Sequence, residues 1–325
     1  MTHSDDRTEL RTPDLIPFHR MIAFLFHGIP FPTPLYPEVI VNVNQVPFKF
    51  SLPAVSERRS RSNYALYLLN SFEPQTLIEI FVHLLTEQKI LMTSLHQKNL
   101  SFAGQAFLNT PLTHRIASHI RMIKPLKWAV SYIPFIHMSL VQVIQSPSPF
   151  LIGVDSRFFD FFQIPPSYGI ACIDLETKNF IPAKMEDGGY ISSNLLPKKI
   201  YKRLLENLTR FRHNRDLYIK TDVGKLVARE FEIFLIYLFG TYRQYLVRPS
   251  LFRQRDLFNT EQFILDKKDY QRFYSISLST QLWANFVRDR TYPSDNELEY
   301  IHFDFLIDEL FNRQRIESLS LDKDA

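Results

Sequence analysis

The residues of this sequence that could support catalysis or nucleotide binding are its histidines, carboxylates and glycines. His114 and His119 are five positions apart, a spacing that turns two helical side chains away from a shared face. Asp304 and Asp308 are one helical turn apart, which suits either a metal site or a solvated acidic face. None of these spacings predicts a catalytic residue or a metal site, and we expect the histidines to be structural or surface residues.

The short motifs that would predict covalent chemistry are missing from the sequence. No two of the 8 glycines are two positions apart, so the Gly-x-Gly-x-x-Gly fingerprint cannot occur, and no Gly-Lys-Ser/Thr is present. Neither Gly-x-Ser-x-Gly nor His-Glu-x-x-His is found. We therefore expect no cofactor and no enzyme of covalent chemistry. A large fold without such residues predicts a binding platform.

The basic residues occur in separate clusters within a chain of net charge +4 and pI near 9.0. Nucleic-acid binding would need a continuous basic stripe with interleaved aromatic residues, so we expect no nucleic-acid partner. Ordinary loop charge is one interpretation, and attraction to an anionic membrane surface is the other. The clusters are Arg58-Arg59-Arg61, Lys124 with Lys127, Lys198-Lys199, and Arg253 with Arg255.

Composition indicates a globular protein of a reducing compartment. The 325 residues are 45% hydrophobic and include 29 Phe, enough for a sizeable core. Cys172 is the only cysteine, so no disulfide can form within the chain. Met1–Leu15 is polar, unlike a signal peptide, and the longest apolar stretch, Ile233–Phe239, is too short for a bilayer. We expect a cytoplasmic protein, with peripheral association with Golgi or endosomal membranes as an extension.

The order of predicted elements divides the chain into four parts. Residues 1–37 hold a short helix (15–27) and a proline-rich linker, and residues 38–185 alternate strands with helices. Residues 186–292 read as helices only, and residues 293–325 as one helix (303–313) and a tail. The predicted fold class is therefore α/β, a layered, largely parallel sheet with flanking helices, followed by an all-α domain.

The periodicity also predicts individual elements. A charged loop is predicted at 56–63 and a helix beginning at Pro74. The predicted strands are 39–43, 89–94, 128–136, 150–154 and 168–175. The remaining predicted helices are 98–109, 112–123, 138–145, 196–213, 221–246, 259–267 and 271–289.

Four segments in order carry a family resemblance. The run Leu84-Leu-Thr-Glu-Gln-Lys-Ile90 resembles the helix-to-strand signature of the DENN family. The segments that follow it are Pro125-Leu-Lys-Trp128 with Tyr132-Ile-Pro134, Ser146 to Ser156, and Ala171 to Thr177. The resemblance covers about residues 30–290, and Phe31-Pro-Thr-Pro34 with Gly153 to Asp160 is most similar to the class-four, Crag-like, members.

The resemblance implies a guanine-nucleotide exchange factor for a Rab-family small GTPase in membrane trafficking. Such a factor binds the nucleotide-free GTPase more tightly and so weakens nucleotide binding by the same factor. The family usually begins with a longin-like module, and residues 1–28 are too few to form one. We therefore expect either a fragment, a longin half supplied by another chain, or its loss.

The GTPase-binding residues are expected among polar residues just after strands. Ligands of open α/β sheets bind at the carboxyl ends of the strands, so the first candidates are Asp155, Ser156 and Arg157. The second group lies at the junction between the α/β and helical parts: Glu186, Asp187, Gly188 and Gly189.

Two further functions remain open. The chain could be a non-catalytic scaffold that keeps the DENN fold and binds a GTPase or another partner without releasing its nucleotide. A membrane-surface adaptor that uses the basic clusters is the third candidate.

Overall fold

The computed structural model describes residues 20, 23–29, 38–43, 46–51, 63–108, 123–161, 163, 169–184, 188–214, 223–247, 257–268, 270–292 and 298–321. The chain forms two compact units, Met1–Arg58 and Arg59–Ala325. Within the described residues no helix combines the length and the apolar character needed to cross a bilayer.

The first unit contains an antiparallel strand pair, β1 (Glu38–Val43) and β2 (Val46–Ser51), and a π-helical turn at Phe24–Gly28. The predicted strand at 39–43 is confirmed, whereas β2 was not predicted. Most of the predicted helix 15–27, the proline-rich linker and the loop 56–63 lie outside the described residues.

The second unit is built on a five-stranded sheet, whose strands are β3 Lys89–Ser94, β4 Ser131–Ile133, β5 Phe150–Asp155, β6 Ile170–Asp174 and β7 Asn179–Ile181. Their order across the sheet is β4-β5-β3-β6-β7. Strands β4, β5, β3 and β6 run parallel to one another, and the edge strand β7 runs antiparallel to β6. A largely parallel sheet is therefore confirmed.

Helices cover the sheet and then form the helical part of the second unit. The α-helices are α1 Asn63–Ser71, α2 Pro74–Leu85, α3 Gln97–Leu108, α4 Phe158–Phe161, α5 Lys198–His213, α6 Val223–Phe239, α7 Thr260–Asp266, α8 Gln271–Leu278, α9 Gln281–Thr291 and α10 Leu298–Leu321. Short 3₁₀ helices occur at Met138–Gln145, Ser193–Leu195 and Tyr242–Tyr245.

Successive side chains of each strand point to opposite faces of the sheet, and both faces are buried. Ile90 and Met92 of β3 belong to the main core, whereas Leu91 belongs to a smaller core on the opposite face with Ile152 and Phe158. Side chains of a strand point alternately to the two faces, and a sheet covered on both faces has continuous apolar runs. This explains why Lys89–Ser94 is almost uniformly buried.

The main core is continuous from the sheet into the helical part. Helix α6 packs against α1, α5 and α10, and its Phe231 and Phe234 contact Phe81 of α2 at ring-centroid distances of 4.6 and 5.8 Å. Residues before and after the predicted domain boundary at 185/186 therefore contribute to the same hydrophobic core. The boundary stays a prediction.

Several predicted elements have different bounds. The predicted strand 128–136 is shortened to β4. It ends at Ile133 because Pro134 has no N–H for the ladder, and the Ile136 N–H instead donates to the Gly153 carbonyl at 2.8 Å. The predicted helix 271–289 is two helices. Thr280 caps the start of the second one, and its hydroxyl accepts from the Trp283 N–H at 3.1 Å.

The other differences concern helix ends. The predicted helix 221–246 ends as an α-helix at Phe239, and the 3₁₀ helix Tyr242–Tyr245 follows. The final helix is longer than predicted, since it extends over Leu298–Leu321 and includes part of the expected tail. The predicted helix 112–123 lies almost wholly outside the described residues. Strand β7 and helices α1 and α4 were not predicted.

Candidate functional site

The carboxyl ends of three neighbouring strands meet at one edge of the sheet. Ser94 at the end of β3 is paired in register with Asp155 at the end of β5. On the other side, Thr93 is paired with Asp174 at the end of β6. This carboxyl edge, formed by the ends of β5, β3 and β6 and the residues that follow them, is where the first group of candidates lies.

Asp155 and Arg157 form a preorganised charged pair at this edge. One Asp155 carboxylate oxygen accepts from the Arg157 backbone N–H at 3.0 Å and from Nε at 2.8 Å, and the other accepts from Nη2 at 2.6 Å. These hydrogen bonds from Arg157 lower the pKa of Asp155 to about 2, so the carboxylate is ionised at neutral pH. The Arg157 side chain is 70% exposed, so its outer surface remains open to a partner.

Ser156 links the pair to the central strand. Its backbone N–H donates to the Ser94 carbonyl at 3.2 Å. Its buried hydroxyl oxygen has no hydrogen-bond partner among the residues that the structure describes. The backbone bond fixes the loop after β5 to the end of β3, so Asp155 and Arg157 are held on a rigid element.

A second polar network joins the ends of β3 and β6. The Ser94 hydroxyl donates to Glu176 Oε1 at 2.6 Å, and the Leu95 N–H donates to the same oxygen at 3.1 Å. Asp174 accepts from the Glu176 N–H at 2.9 Å and from the Thr177 hydroxyl at 2.6 Å, which forms the turn after β6. Glu176 is therefore fixed at the end of β3 on the β6 side, whereas the Asp155–Arg157 pair follows β5 on the other side of β3.

Ser94 and Glu176 were not predicted as site residues. Ser94 ends a strand that was predicted correctly, so the strand-end rule that selected Asp155 also selects Ser94. Nothing in the sequence predicts the bond to Glu176, which is 82 positions away.

Large apolar side chains flank the charged centre of the edge. Leu95, directly after β3, is 54% exposed, and Phe159 and Phe161 of α4 are 42% and 75% exposed. Phe158 between β5 and these residues is buried and packs edge-to-face on Phe159 at 5.3 Å, which anchors the helix. Exposed aromatic side chains beside a fixed charged pair are typical of a protein-binding surface.

The second group of candidates lies elsewhere. Gly188 and Gly189 precede Tyr190, which bridges to Lys184, and the Lys184 carbonyl lies against Gly169 just before β6 begins. Gly188 and Gly189 are therefore near the amino ends of the parallel strands, away from Asp155. Glu186 and Asp187 lie outside the described residues.

The acidic pair in α10 makes ion pairs with arginine side chains of the helical part, and the Asp308 side chain also remains 56% exposed. Asp304 accepts from the Tyr242 hydroxyl at 2.7 Å and pairs with Arg290, and Asp308 pairs with Arg243. Both carboxylates thus serve to fasten α10 to the helical part. In the described part of the chain no three His, Cys, Asp or Glu side chains cluster as metal ligands would.

Comparison with known proteins gives consistent matches. The sequence model of the DENN (AEX-3) domain matches residues 4–178, which is more than half of the chain. DENN domain-containing protein 2A of Mus musculus is 25% identical over 240 residues, covering 69% of this chain and 22% of that protein. DENN domain-containing protein 2C of Homo sapiens is 24% identical over 220 residues, covering 66% of this chain and 22% of that protein.

A third relative is shorter. DENN domain-containing protein 2D of Homo sapiens is 24% identical over 224 residues, covering 68% of this chain and 43% of that protein. The chain thus spans less than half the length of these relatives. The three names do not support the class-four assignment, which stays a prediction. The fold, the ordered motifs and the match over residues 4–178 lead to one conclusion: the chain belongs to the DENN domain family.

Proposed function

We propose that this chain promotes GDP-to-GTP exchange on a Rab-family small GTPase and contacts the GTPase through the carboxyl edge of the sheet. Membership of the DENN family supports a role in trafficking. The single observation that carries the choice of surface is the Asp155–Arg157 pair, held by three hydrogen bonds, with Phe159 and Phe161 exposed beside it. Peripheral association with Golgi or endosomal membranes belongs to the same proposal.

The proposed mechanism is differential binding and needs no covalent chemistry. A surface that binds the nucleotide-free GTPase more tightly than the nucleotide-bound form must weaken nucleotide binding by the same factor. The Arg157 guanidinium can offer its exposed donors to a carboxylate of the GTPase while Asp155 keeps its orientation. Phe159 and Phe161 supply apolar area that a flexible switch segment of the GTPase can cover.

Release of a fluorescent GDP analogue from a panel of Rab GTPases tests the proposal. The chain is added in catalytic amounts, and faster release from at least one Rab is expected. Arg157→Gln should lower the rate of release by about 10- to 100-fold, because a charge-assisted contact at an interface is worth about 1.5–3 kcal/mol. Arg288→Gln is the matched control, since Arg288 is also exposed and lies 3.6 Å from Asp289 in α9.

Three outcomes distinguish the functions. Faster release that Arg157→Gln weakens and Arg288→Gln does not supports exchange at the carboxyl edge. Binding of a Rab without faster release supports the scaffold instead. No release and no binding, with a longin half also supplied as a separate chain, overturns the exchange proposal for this chain.

A further inference from the structure

Helix α5 presents a basic face to solvent. Leu204, Leu208 and Phe211 are buried against the core, which fixes the rotation of the helix. The exposed positions lie along the opposite side and contain no apolar residue. They are Lys198, Lys199, Lys202, Glu206, Thr209, Arg210 and His213. This side of the helix thus carries four permanent cations and one carboxylate, over 16 residues and about 24 Å.

The cations of this face, called here the α5 basic face, are largely unneutralised. Lys202 lies 3.8 Å from Glu206. Lys198, Lys199 and Arg210 have no carboxylate partner in the described part of the chain. By contrast, Arg212 at the edge of the helix is 2.8 Å from Glu73 and donates to the Phe72 carbonyl. The cations that fasten the helix are therefore different from those that face solvent.

Lys198 and Lys199 oppose the stability of their own helix. They occupy its first turn, directly after Pro197, and no acidic residue is present there. The amino terminus of a helix carries partial positive charge, so cations at this end are unfavourable. Two lysines at the least favourable positions, with no carboxylate partner among the described residues, point to an external anionic one.

We propose that the α5 basic face docks this protein onto the anionic phospholipid surface of a membrane, an inference that rests on the peripheral membrane association of the proposed function and not on nucleotide exchange. The net charge of the face is positive and therefore complementary to an anionic membrane surface. Each Lys or Arg near such a surface strengthens binding separately. Protein interfaces rely on apolar and aromatic anchors, and single-stranded nucleic acids on aromatic stacking; the face has neither. Lysines act as mobile point charges, which suit a diffuse layer of headgroups.

Co-sedimentation of the full chain with vesicles tests the proposal. The chain should bind vesicles of phosphatidylcholine mixed with phosphatidylserine and not vesicles of phosphatidylcholine alone. Binding should be lost when ionic strength rises from about 0.15 M to about 1 M, since the Debye length falls from about 8 Å to about 3 Å. The assay contains no GTPase, so its result is independent of exchange activity.

A pair of matched variants locates the surface. Lys198→Gln with Lys199→Gln should weaken binding on the order of 30-fold, because each lysine contributes about a fivefold factor at an anionic surface. The same two substitutions should leave Tm unchanged or raise it, which separates lost binding from lost folding. Lys98→Gln with Lys178→Gln removes the same charge from two other exposed positions and should retain binding.

Each contrary result overturns the proposal. Binding that does not depend on phosphatidylserine, or a Lys198/Lys199 variant that binds as well as the unaltered chain, excludes the α5 basic face. Equal loss in the Lys98/Lys178 control assigns the effect to net charge alone. Salt-sensitive binding of a DNA duplex or an acidic protein, without vesicle binding, assigns the face to that partner instead.

Discussion

Gly153 in β5 allows two other chain segments to approach the strand closely, because it has no side chain. A Cβ atom at this position would lie 2.0 Å from the Pro134 carbonyl oxygen and 3.2 Å from Leu100 Cβ. We expect Gly153→Ala to lower the free energy of unfolding by about 3 kcal/mol, because neither backbone nor core can move aside without loss of packing. Urea unfolding followed by circular dichroism measures the change.

Gly188→Ala is the control for that substitution. Gly188 has a φ of 81°, and no atom of the described residues lies within 4 Å of the added Cβ, so backbone strain is what opposes the change. We expect a loss of about 1 kcal/mol. If Gly153→Ala is no more destabilising than Gly188→Ala, the close approach of Pro134 is not a packing constraint.

His83 makes the stability of the protein depend on pH. The ring is fully buried, with Nδ1–H donating to the Glu79 carbonyl at 2.8 Å and Nε2 accepting from the Ala183 N–H at 3.2 Å. Burial lowers the pKa of His83 from 6.5 to about 4. The unfolded chain therefore binds a proton in the window between these values that the folded chain does not, and stability falls as the pH falls through it.

The expected loss from this one residue is about 2 kcal/mol between pH 7 and pH 5. Urea unfolding of the unaltered chain and of His83→Gln at both pH values measures it. The variant is expected to be less stable at pH 7 and to show a smaller decrease on acidification. An identical decrease in both proteins would show that His83 does not titrate as its burial implies.

At the scale of elements, Glu87 connects the turn before β3 to the start of α9. Its carboxylate oxygens accept from the Gln281 and Leu282 N–H groups, each at 2.7 Å. These N–H groups have no partner within the helix because they lie in its first turn, and a carboxylate at this end also favours the helix dipole. Glu87 belongs to the Leu84–Ile90 motif, so the structure assigns that motif position a structural role.

We expect Glu87→Gln to lower the free energy of unfolding by about 2 kcal/mol. One carboxylate oxygen that accepts a hydrogen bond is replaced by an amide NH₂, which cannot accept from the backbone N–H it would meet. Glu206→Gln is the matched control because Glu206 is exposed and lies on a helix surface, where changes stay within about 0.5 kcal/mol. Urea unfolding of both variants gives the comparison. Equal effects would show that the cap does not stabilise α9.

For the whole second unit, a continuous core predicts cooperative unfolding. Trp128 lies before β4 and Trp283 in α9, and both pack with the same core cluster. We expect each single-tryptophan variant, Trp128→Phe and Trp283→Phe, to unfold with one transition at which fluorescence and circular dichroism coincide. Two separate midpoints would instead support a domain boundary near residue 185.

The sequence by itself determined the elements whose signal is local. Strand β3 was predicted with the observed bounds, and the helix at Pro74 with the observed first residue. Both predictions succeed because hydrophobic periodicity and the position of a proline depend on only a few neighbouring residues. The same information predicted the fold class, and the strand-end rule predicted Asp155, Ser156 and Arg157 as site candidates. Their role in GTPase binding stays a prediction.

Only the tertiary structure decided which distant residues meet. Ser94 with Glu176, His83 with Ala183, and Glu87 with α9 join positions 82 to 195 residues apart. The sequence also did not specify where the two groups of site candidates lie relative to each other, and the antiparallel pairing of β7 with β6 placed Gly188 away from Asp155. Contacts of this kind depend on how the strands are ordered in the sheet, which no local pattern of residues specifies.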